Sequence, residues 1–347
     1  MNATTATPPA QPEQAATGAL FGLALGDALG FPTEFAGVAE ILGTAGPWRR
    51  MEMPTPALVT DDTQMTLAVA RAVTNAMDAE NAERLDPHRF EHALVHEFVR
   101  WYDAPDNDRA PGMTCLAACA RLKGGRPWRQ ATEAGSKGCG ANMRVAPLGL
   151  VPSLNSEERA GAAQLQAALT HGHPTALAAA DLTAHAVRLL LQGAEPGRLP
   201  ELLRAYAASQ RTRYHERWLG DLWKRGPGRT PAAFIARGWD ETLAALDRLD
   251  AALAAPAPGD DPCLVTGAGW IAEEALATGL LCFLLFPRDP VTALRRAACS
   301  SGDSDSIACL TGAFAGAFHG AGVWPTRWTE RIEHRDTLTA LGAGWDR

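Results

Sequence analysis

Ser301-Gly302-Asp303-Ser304-Asp305-Ser306, directly before an apolar run at 307–310, is the stretch around which this chain is organised. It is typical of a helix start, where one side-chain oxygen accepts a hydrogen bond from an unpaired N–H group of the first turn. A single capping side chain would satisfy that start, so the surplus of carboxylates and hydroxyls needs another explanation. Far upstream, Thr60-Asp61-Asp62-Thr63 offers the same groups at the beginning of another apolar helical pattern.

We predict that these two acidic turns, 60–63 and 301–306, meet in the fold and hold divalent metal between them. Their ligand atoms are all oxygens, which hard cations prefer, and Mg²⁺ or Mn²⁺ suits such a set when water completes it. A calcium-binding EF-hand is excluded because Ile307 occupies the next ligand position and no glutamate closes the loop. The alternative interpretation is two capped helix starts with leftover surface acids.

Four glycines, Gly18, Gly22, Gly26 and Gly30, recur at every fourth position among Ala, Leu and Phe. On a helix this spacing places all four near one face, where a second helix can approach closely. Each glycine costs about 1 kcal/mol in helix propensity relative to alanine. The pattern therefore predicts a tight packing contact at the centre of the fold.

Helical periodicity continues along the chain. It predicts further helices at 62–79, 87–102, 112–122, 157–169, 174–191, 198–209, 230–254, 270–286, 291–298 and 305–319. No segment shows the alternation that a sheet requires. The sequence therefore predicts an all-α fold, a single compact orthogonal helical bundle over 15–347, preceded by a disordered tail at 1–14. Asp27 and Glu34, acids at or just after the end of the first apolar segment, are not explained by packing.

The composition excludes several classes of protein. A formal net charge of -7 gives no electrostatic footprint for nucleic-acid binding. The 7 cysteines form no Cys-x-x-Cys pair, which argues against a disulfide framework or a structural zinc site. No secretory signal is visible, and the most apolar run, 275–286, is too short to cross a bilayer. We therefore expect a cytoplasmic protein that makes no use of a membrane.

A loop of small residues, Gly138-Cys139-Gly140-Ala141-Asn142-Met143-Arg144, leads into an apolar segment. Such a loop lets backbone N–H groups approach phosphate oxygens, although a turn with a buried cap is the alternative. His171 and His173 stand at a helix start without a third ligand nearby, which disfavours zinc. One of them is predicted either to hydrogen-bond a ligand or to serve as a capping or core histidine.

These motifs together resemble the ADP-ribosylglycohydrolase family, of the dinitrogenase-reductase-activating type. The resemblance runs in matching order from about residue 15 to 325. It rests on the stretches at 26–34, 60–65, 138–147, 169–171, 269–275 and 302–306. The family is all-α, so the resemblance and the helical periodicity imply the same fold class.

The resemblance also implies a binuclear centre of two Mg²⁺ or Mn²⁺ ions at the base of an ADP-ribose cleft. The metal ligands would be Thr60, Asp61, Asp62, Asp303, Asp305 and Ser306. Catalytic roles would fall to Glu34, Asp62 and Asp303, with Glu34 acting as the general base or gating the site. Ser136, Gly138, Cys139, Gly140, Asn142, Met143 and His171 would surround the diphosphate and the distal ribose.

The chain departs from the family pattern in two places. It has Asp303-Ser304-Asp305-Ser306 where the family usually has Asp-Thr-Asp-Thr, and the hydroxyl needed for ligation is kept. In the loop at 106–114, the acid proposed as base in the dinitrogenase-type enzymes is displaced or absent. The identity of the general base therefore stays open.

The expected activity is hydrolysis of an N-linked, arginine-type ADP-ribosyl group through an oxocarbenium-like transition state. The substrate would be an ADP-ribosylated protein or another ADP-ribosylated target, the product ADP-ribose, and the chain a monomer. Two alternatives remain open. One is an ADP-ribose-binding or immunity-type partner protein that uses the same cleft without turnover. The other is a different metal-dependent hydrolase of nucleotides or phosphoesters.

Overall fold

Eighteen α-helices occur in the part of the chain that this computed structural model describes, residues 13–77, 84–226 and 228–346. In chain order, α1 to α18 are Ala15–Gly30, Val38–Ala45, Asp61–Met77, Pro87–Tyr102, Met113–Lys123, Trp128–Ala131, Ala146–Leu150, Ser156–Ala168, Pro174–Leu191, Leu199–Gln210, Glu216–Leu219, Pro231–Ala254, Cys263–Thr266, Ala272–Leu285, Pro290–Ala298, Ser304–His319, Thr326–Thr329 and Arg335–Trp345. The predicted all-α fold class is confirmed.

The predicted helix bounds agree closely with the structure. The helix expected at 62–79 is α3, which begins one residue earlier and is described as far as Met77; the last two predicted residues lie outside the described residues. Most of the predicted tail at 1–14 also lies outside them. Short helices such as α6 and α11 escaped the sequence analysis because four residues are too few to show a period.

Helices α1 and α16 run antiparallel at the centre of the fold with their backbones in direct contact. A Cβ atom at Gly22 would lie 2.2 Å from the carbonyl oxygen of Gly312, and one at Gly26 would lie 2.1 Å from that of Ala308. Every residue of α1 is buried. The tight contact expected from the glycine spacing is confirmed, and its partner is the helix that follows the acidic stretch 301–306.

The segment Ala15–Thr33 is long and apolar enough to span a membrane by length and composition. In this fold, 89% of its most apolar window is buried. That burial is typical of the core helix of a folded domain, and the apolar cluster around α1 extends to Leu338 near the other end of the chain.

Isolated bridges replace sheets in the described residues. Gly138 pairs with Ile271 in the antiparallel sense, and Glu133 pairs with His171 in the parallel sense. Both bridges tie loop residues before α7 to segments that follow α8 and precede α14. The first bridge holds the small-residue loop itself, and the second holds the segment just before it, against parts of the chain distant in sequence.

We expect Gly22→Ala to lower the free energy of unfolding by about 2–3 kcal/mol, since overpacking a tight site costs about 1–3 kcal/mol and the opposing atom is backbone. Gly43→Ala in α2 is the matched control. A Cβ atom there meets nothing within 4 Å, so this change should be neutral or stabilise by up to about 1 kcal/mol. Urea denaturation of both variants measures the difference. Equal effects would contradict the close contact between α1 and α16.

Candidate functional site

The two acidic turns meet at neighbouring helix starts. Asp61 and Asp62 form the first turn of α3, Asp303 is the N-cap residue of α16, and Asp305 lies in the first turn of that helix. The hydroxyl oxygen of Thr60 is 3.5 Å from a carboxylate oxygen of Asp305. The predicted convergence is confirmed, although metal binding by these residues stays a prediction.

Asp27 fastens the start of α3 to α1. Its carboxylate accepts hydrogen bonds from the backbone N–H and the hydroxyl of Thr60, at 3.0 and 2.9 Å. It also accepts from the N–H and the hydroxyl of Thr63, at 3.0 and 2.5 Å. Asp27 is fully buried. This acid, unexplained at the sequence level, therefore positions a predicted metal-binding turn by capping its helix from another helix.

The two hydroxyls of the Asp-Ser-Asp-Ser stretch point in different directions. Ser304 donates a hydrogen bond to the carbonyl oxygen of Gly30 at 3.0 Å and so contacts the end of α1. Ser306 lines the cavity beside Asp303 and Asp305. The predicted ligand Ser306 is therefore the serine of the pair that faces the site.

A cavity of about 290 Å³ opens above the two turns. Five carboxylates line it, together with loop residues and hydrophobic residues at its mouth. The lining residues are Glu34, Phe35, Asp61, Asp62, Ala110–Cys115, Gly138–Gly140, Met143, His171, Trp270, Asp303, Asp305 and Ser306. No lysine or arginine is among these described lining residues, so the cavity concentrates acidic groups without a basic side chain to pair with them.

Burial and mutual repulsion raise the pKa of the acids in the metal-free protein. Burial, followed by the charges of Asp305 and Asp61, raises the pKa of Glu34 to about 9. Burial raises the pKa of Asp61 to about 7, and burial with Asp305 raises the pKa of Asp62 well above its ordinary value. Burial is also the main cause of a pKa of about 7 for Asp27.

The donor set fits a hard divalent cation. One carboxylate oxygen from each of Glu34, Asp303 and Asp305 lies within 4.8 Å of the others. Among the described residues, Glu34 Oε2 and Asp62 Oδ2 are buried without a hydrogen-bond donor. Buried anionic oxygens need a compensating charge, and oxygen-only ligands are those that Mg²⁺ and Mn²⁺ prefer. Glu34 is a member of this cluster. A residue that only gated the cavity would not need to lie so close to the other carboxylates.

The small-residue loop reaches the cavity with its glycines, Cys139 and Met143. The Cys139 N–H donates to the Trp270 carbonyl oxygen at 3.0 Å, and the Ala272 N–H donates to the Lys137 carbonyl oxygen at 2.9 Å. A Cβ atom at Gly140 would lie 2.8 Å from Cys115 Sγ. Only glycine therefore lets the loop pack this closely at the cavity wall.

Three predicted site residues lie outside the cavity lining. Thr60 is buried between Asp27 and Asp305. Ser136 places its hydroxyl 3.2 Å from that of Thr114. Asn142 is fully buried and donates from its amide to the carbonyl oxygen of Ala272 at 3.0 Å. The structure places Asn142 behind the loop, where it supports the start of α14 and makes no contact with the cavity.

Two aromatic residues at the mouth were missed by the sequence analysis as site residues. Phe35 and Trp270 stack with ring centroids 5.2 Å apart and an interplanar angle of 18°. Phe35 is 72% exposed and has a φ of 66°, a strained backbone conformation for a bulky residue. The sequence offers no local signal for Phe35, because its exposure depends on the turn after α1 and on a partner 235 positions away.

His171 lines the cavity in its neutral form. Burial and the nearby charge of Arg144 lower the pKa of His171 to about 3. Its Nδ1 atom lies 2.8 Å from the hydroxyl of Thr170. The structure thus supports a hydrogen-bonding role at the cavity, while His173 caps α9 by accepting from the Thr175 N–H at 3.2 Å.

An all-α fold with an acid-lined cavity between two helix starts is the architecture that the resemblance to ADP-ribosylglycohydrolases implied. A family model described as ADP-ribosylglycohydrolase matches residues 8–345, and the chain belongs to that family. It is therefore a hydrolase that acts on glycosidic bonds, and its family supports removal of ADP-ribose from modified targets.

Named relatives agree with this assignment. The chain is 26% identical over 343 residues to the ADP-ribosylarginine hydrolase Tri1 of Serratia proteamaculans, covering 94% of this chain and 77% of that protein. It is 30% identical over 186 residues to the ADP-ribosyl-[dinitrogen reductase] glycohydrolase of Rhodospirillum rubrum, covering 51% and 58% respectively. A solved structure of an ADP-ribosylglycohydrolase-related protein complex has the same fold, with a TM-score of 0.64, 24% identity and coverage of 96% and 97%.

The raised pKa values predict that the metal-free protein loses stability as the pH rises. The ordinary pKa of these carboxyls is about 4, whereas in the folded chain Asp27 and Asp61 reach about 7. At these carboxyls the folded state therefore binds more protons than the unfolded state, and their contribution to stability falls with increasing pH. Burial lowers the pKa of His171, His185 and His215 to about 3–4, so these histidines have the opposite effect below the ordinary histidine pKa of about 6.5. We expect the free energy of unfolding to decrease between about pH 6.5 and 8, where the histidines are neutral in both states, as measured by denaturant titrations in chelator.

Two controls accompany this measurement. Mn²⁺ added at the higher pH should restore stability, because a ligand of the folded state at one hundred times its Kd contributes about 2.7 kcal/mol. Asp62→Asn removes one of the clustered charges and should flatten the pH dependence. A metal-free protein whose stability rises across the same window would contradict this account of the cluster.

Proposed function

We propose that this chain hydrolyses the glycosidic bond between ADP-ribose and an arginine side chain of a modified protein, using two Mg²⁺ or Mn²⁺ ions. The observation that carries the proposal is the convergence of five carboxylates on one cavity without a lysine or arginine in the described lining. Such a cavity attracts both divalent cations and the positive guanidinium group of an arginine adduct. The named activity of the Serratia relative, an ADP-ribosylarginine hydrolase, supports the same substrate class.

The residues proposed to hold the cations are Asp61, Asp62, Asp303, Asp305 and Ser306 in the cavity, with Thr60 buried beside Asp305. When bound, divalent cations would orient sugar hydroxyls and lower the pKa of a bound water. The buried, donor-free oxygen of Asp62 supports its place in this set. Asp61 accepts a hydrogen bond from the Gly112 N–H at 3.0 Å, which holds that carboxylate in the direction of the cavity.

Glu34 is the residue we assign as general base. It lies at the cavity with one oxygen that lacks a donor among the described residues. Its pKa of about 9 in the metal-free protein follows from burial and neighbouring anions, and positive charge in the cluster would lower it. A deprotonated Glu34 can then take a proton from the attacking water.

The leaving group explains why one base is sufficient. As the bond from the anomeric carbon to nitrogen breaks, a guanidinium group departs as a neutral guanidine, so the reaction needs no proton donor at that step. Water oxygen bonds to the anomeric carbon, and the proton that Glu34 accepts is finally returned to the guanidine. The surrounding carboxylates stabilise the positive charge that develops on the sugar in the oxocarbenium-like transition state.

The size of the cavity limits what it can enclose. Sites for drug-sized ligands have volumes of about 300–1,000 Å³, and this cavity has about 290 Å³. It suits the ribose that carries the scissile bond and the adjacent phosphate. The remaining part of ADP-ribose would cross the mouth, where the glycine loop at 138–140 and the ring of Trp270 lie.

Asp305→Asn should reduce ADP-ribose release from an ADP-ribosylarginine protein at least about a hundredfold, as expected for loss of a group that stabilises the transition state. Circular dichroism should show an unchanged helical content. Asp336→Asn is the matched control, since Asp336 is an exposed acid in the first turn of α18. Equal rates in Mn²⁺ and in chelator would overturn the metal requirement, and release of phosphate without ADP-ribose would overturn the reaction.

Glu34→Gln should lower kcat by about 10²–10⁴-fold, the usual contribution of general acid–base catalysis. The affinity for ADP-ribose should change little, because the amide has the same shape as the carboxyl group. Glu40→Gln in α2 provides an exposed control six residues away. Steady-state kinetics and calorimetric titration with ADP-ribose measure the two effects. A change in KM with an unaltered kcat would instead assign Glu34 a gating role.

A further inference from the structure

Arg144 is a fully buried cation behind the wall of the cavity. Its Nε donates to the side-chain oxygen of Gln166 at 2.8 Å, and its Nη2 donates to the backbone oxygen of Gln166 at 2.8 Å. Nη2 also donates to the hydroxyl of Thr170 at 2.7 Å. All these acceptors are neutral. Burying a charge with no carboxylate among its described hydrogen-bond acceptors is costly, which indicates a role beyond packing.

The remaining contacts of Arg144 fix the orientation of its guanidinium group. Nη1 lies 3.3 Å from Met65 Sδ and 3.4 Å from Cys115 Sγ. The group stacks over the ring of Phe98, with Cζ 4.4 Å from the centroid. Because these contacts hold the guanidinium group in place, its Nη2 atom points to the hydroxyl of Thr170.

The direction of the next hydrogen bond follows from the chemistry of these groups. Arginine can only donate, so the Thr170 oxygen must accept from Nη2. The single hydroxyl hydrogen of Thr170 is then free for another acceptor. His171 Nδ1 lies 2.8 Å away, whereas the Ala167 carbonyl oxygen is 3.5 Å away. Of these two acceptors only Nδ1 lies at the usual length for a bond from an O–H donor, which favours Nδ1 as the acceptor and the ring proton on Nε2.

The Nε2 atom of His171 faces the cavity wall beside the glycine loop. A Cβ atom at position 138 would lie 3.1 Å from Nε2, so the glycine there keeps space in front of the ring. The ring is among the lining residues of the cavity. Its low pKa of about 3 agrees with a neutral imidazole that has one N–H to offer.

We propose that Arg144 and Thr170 are positioning residues that hold His171 as the neutral Nε2–H tautomer. His171 then presents a hydrogen-bond donor to a phosphate or ribose oxygen of the ligand. The identity of that ligand as ADP-ribose rests on the proposed function, whereas the tautomer is a property of the protein alone. Arg144 acts on His171 through Thr170 and does not contact a reacting atom.

The tautomer can be measured without ligand by two-bond ¹H–¹⁵N correlation spectra of protein labelled at histidine. The wild-type spectrum should show His171 protonated at Nε2. Thr170→Val removes the hydroxyl and should shift His171 towards a mixture of tautomers or towards Nδ1–H, and Thr170→Ser keeps the hydroxyl and should retain the wild-type pattern. An Nδ1–H tautomer in the wild type, or a spectrum unchanged by Thr170→Val, would overturn the relay.

A pair of substitutions at His171 tests the donor independently of Thr170. The amide nitrogen of glutamine can occupy the place of Nε2, and that of asparagine the place of Nδ1. We expect His171→Gln to keep ADP-ribose affinity within about fivefold and His171→Asn to lose about tenfold or more, as for a hydrogen bond to a charged group. Equal affinities of both variants and the wild type would overturn the donor role.

The two measurements separate failure of the relay from failure of the proposed function. The expected tautomer in a wild-type protein that does not bind ADP-ribose would support the relay and overturn the ligand. Conversely, turnover of ADP-ribosylarginine protein by a wild type with the Nδ1–H tautomer would support the function and overturn the relay.

Discussion

The backbone contact between α1 and α16 is the constraint on which the site depends. Two helices can approach this closely only where side chains are absent, and the carbonyl oxygens of α16 occupy the space that Cβ atoms of α1 would need. The contact continues to the end of α1, where a Cβ atom at Gly30 would lie 2.5 Å from Asp305 Cα. The end of α1 therefore lies against the start of α16, and Asp27 and Glu34 are carried to the acidic turn.

This arrangement concentrates like charges in a desolvated place, and the fold compensates only part of the cost. Asp27 is satisfied by four donors from Thr60 and Thr63. The charge of Arg144 lowers the pKa of Asp61 somewhat, against the larger effect of burial. Asp62 and Glu34 keep donor-free oxygens among the described residues. The burial cost that the fold does not compensate is therefore located at the cavity, where a divalent cation or a cationic substrate can bind. Functional sites commonly reduce the stability of the fold in this way.

Much of the fold and the composition of the site could be predicted from the sequence because their signals are local. The helical periodicity of apolar residues predicted most of the long helices, and the surplus of acids at 60–63 and 301–306 indicated a shared site. The glycines of α1 indicated a close contact but not its partner. The role of Asp27 and the exposure of Phe35 could not be predicted, because both depend on residues distant in the chain. Ser304 and Ser306 look equivalent by composition and differ in the direction that the helix gives them, so only the family resemblance distinguished Ser306 in the sequence.

The small-residue loop shows why a matching motif does not assign roles to all of its members. Gly138, Gly140 and Met143 face the cavity, whereas Asn142 and Arg144 point into the interior. The interior face binds α14 through the carbonyl oxygen of Ala272 and binds α8 through Gln166. A loop held on its back by two helices has little freedom left to lose when a ligand contacts its front, and such preorganisation favours both affinity and catalysis. Residues of this motif that never touch a ligand can therefore be as necessary for binding as those that do.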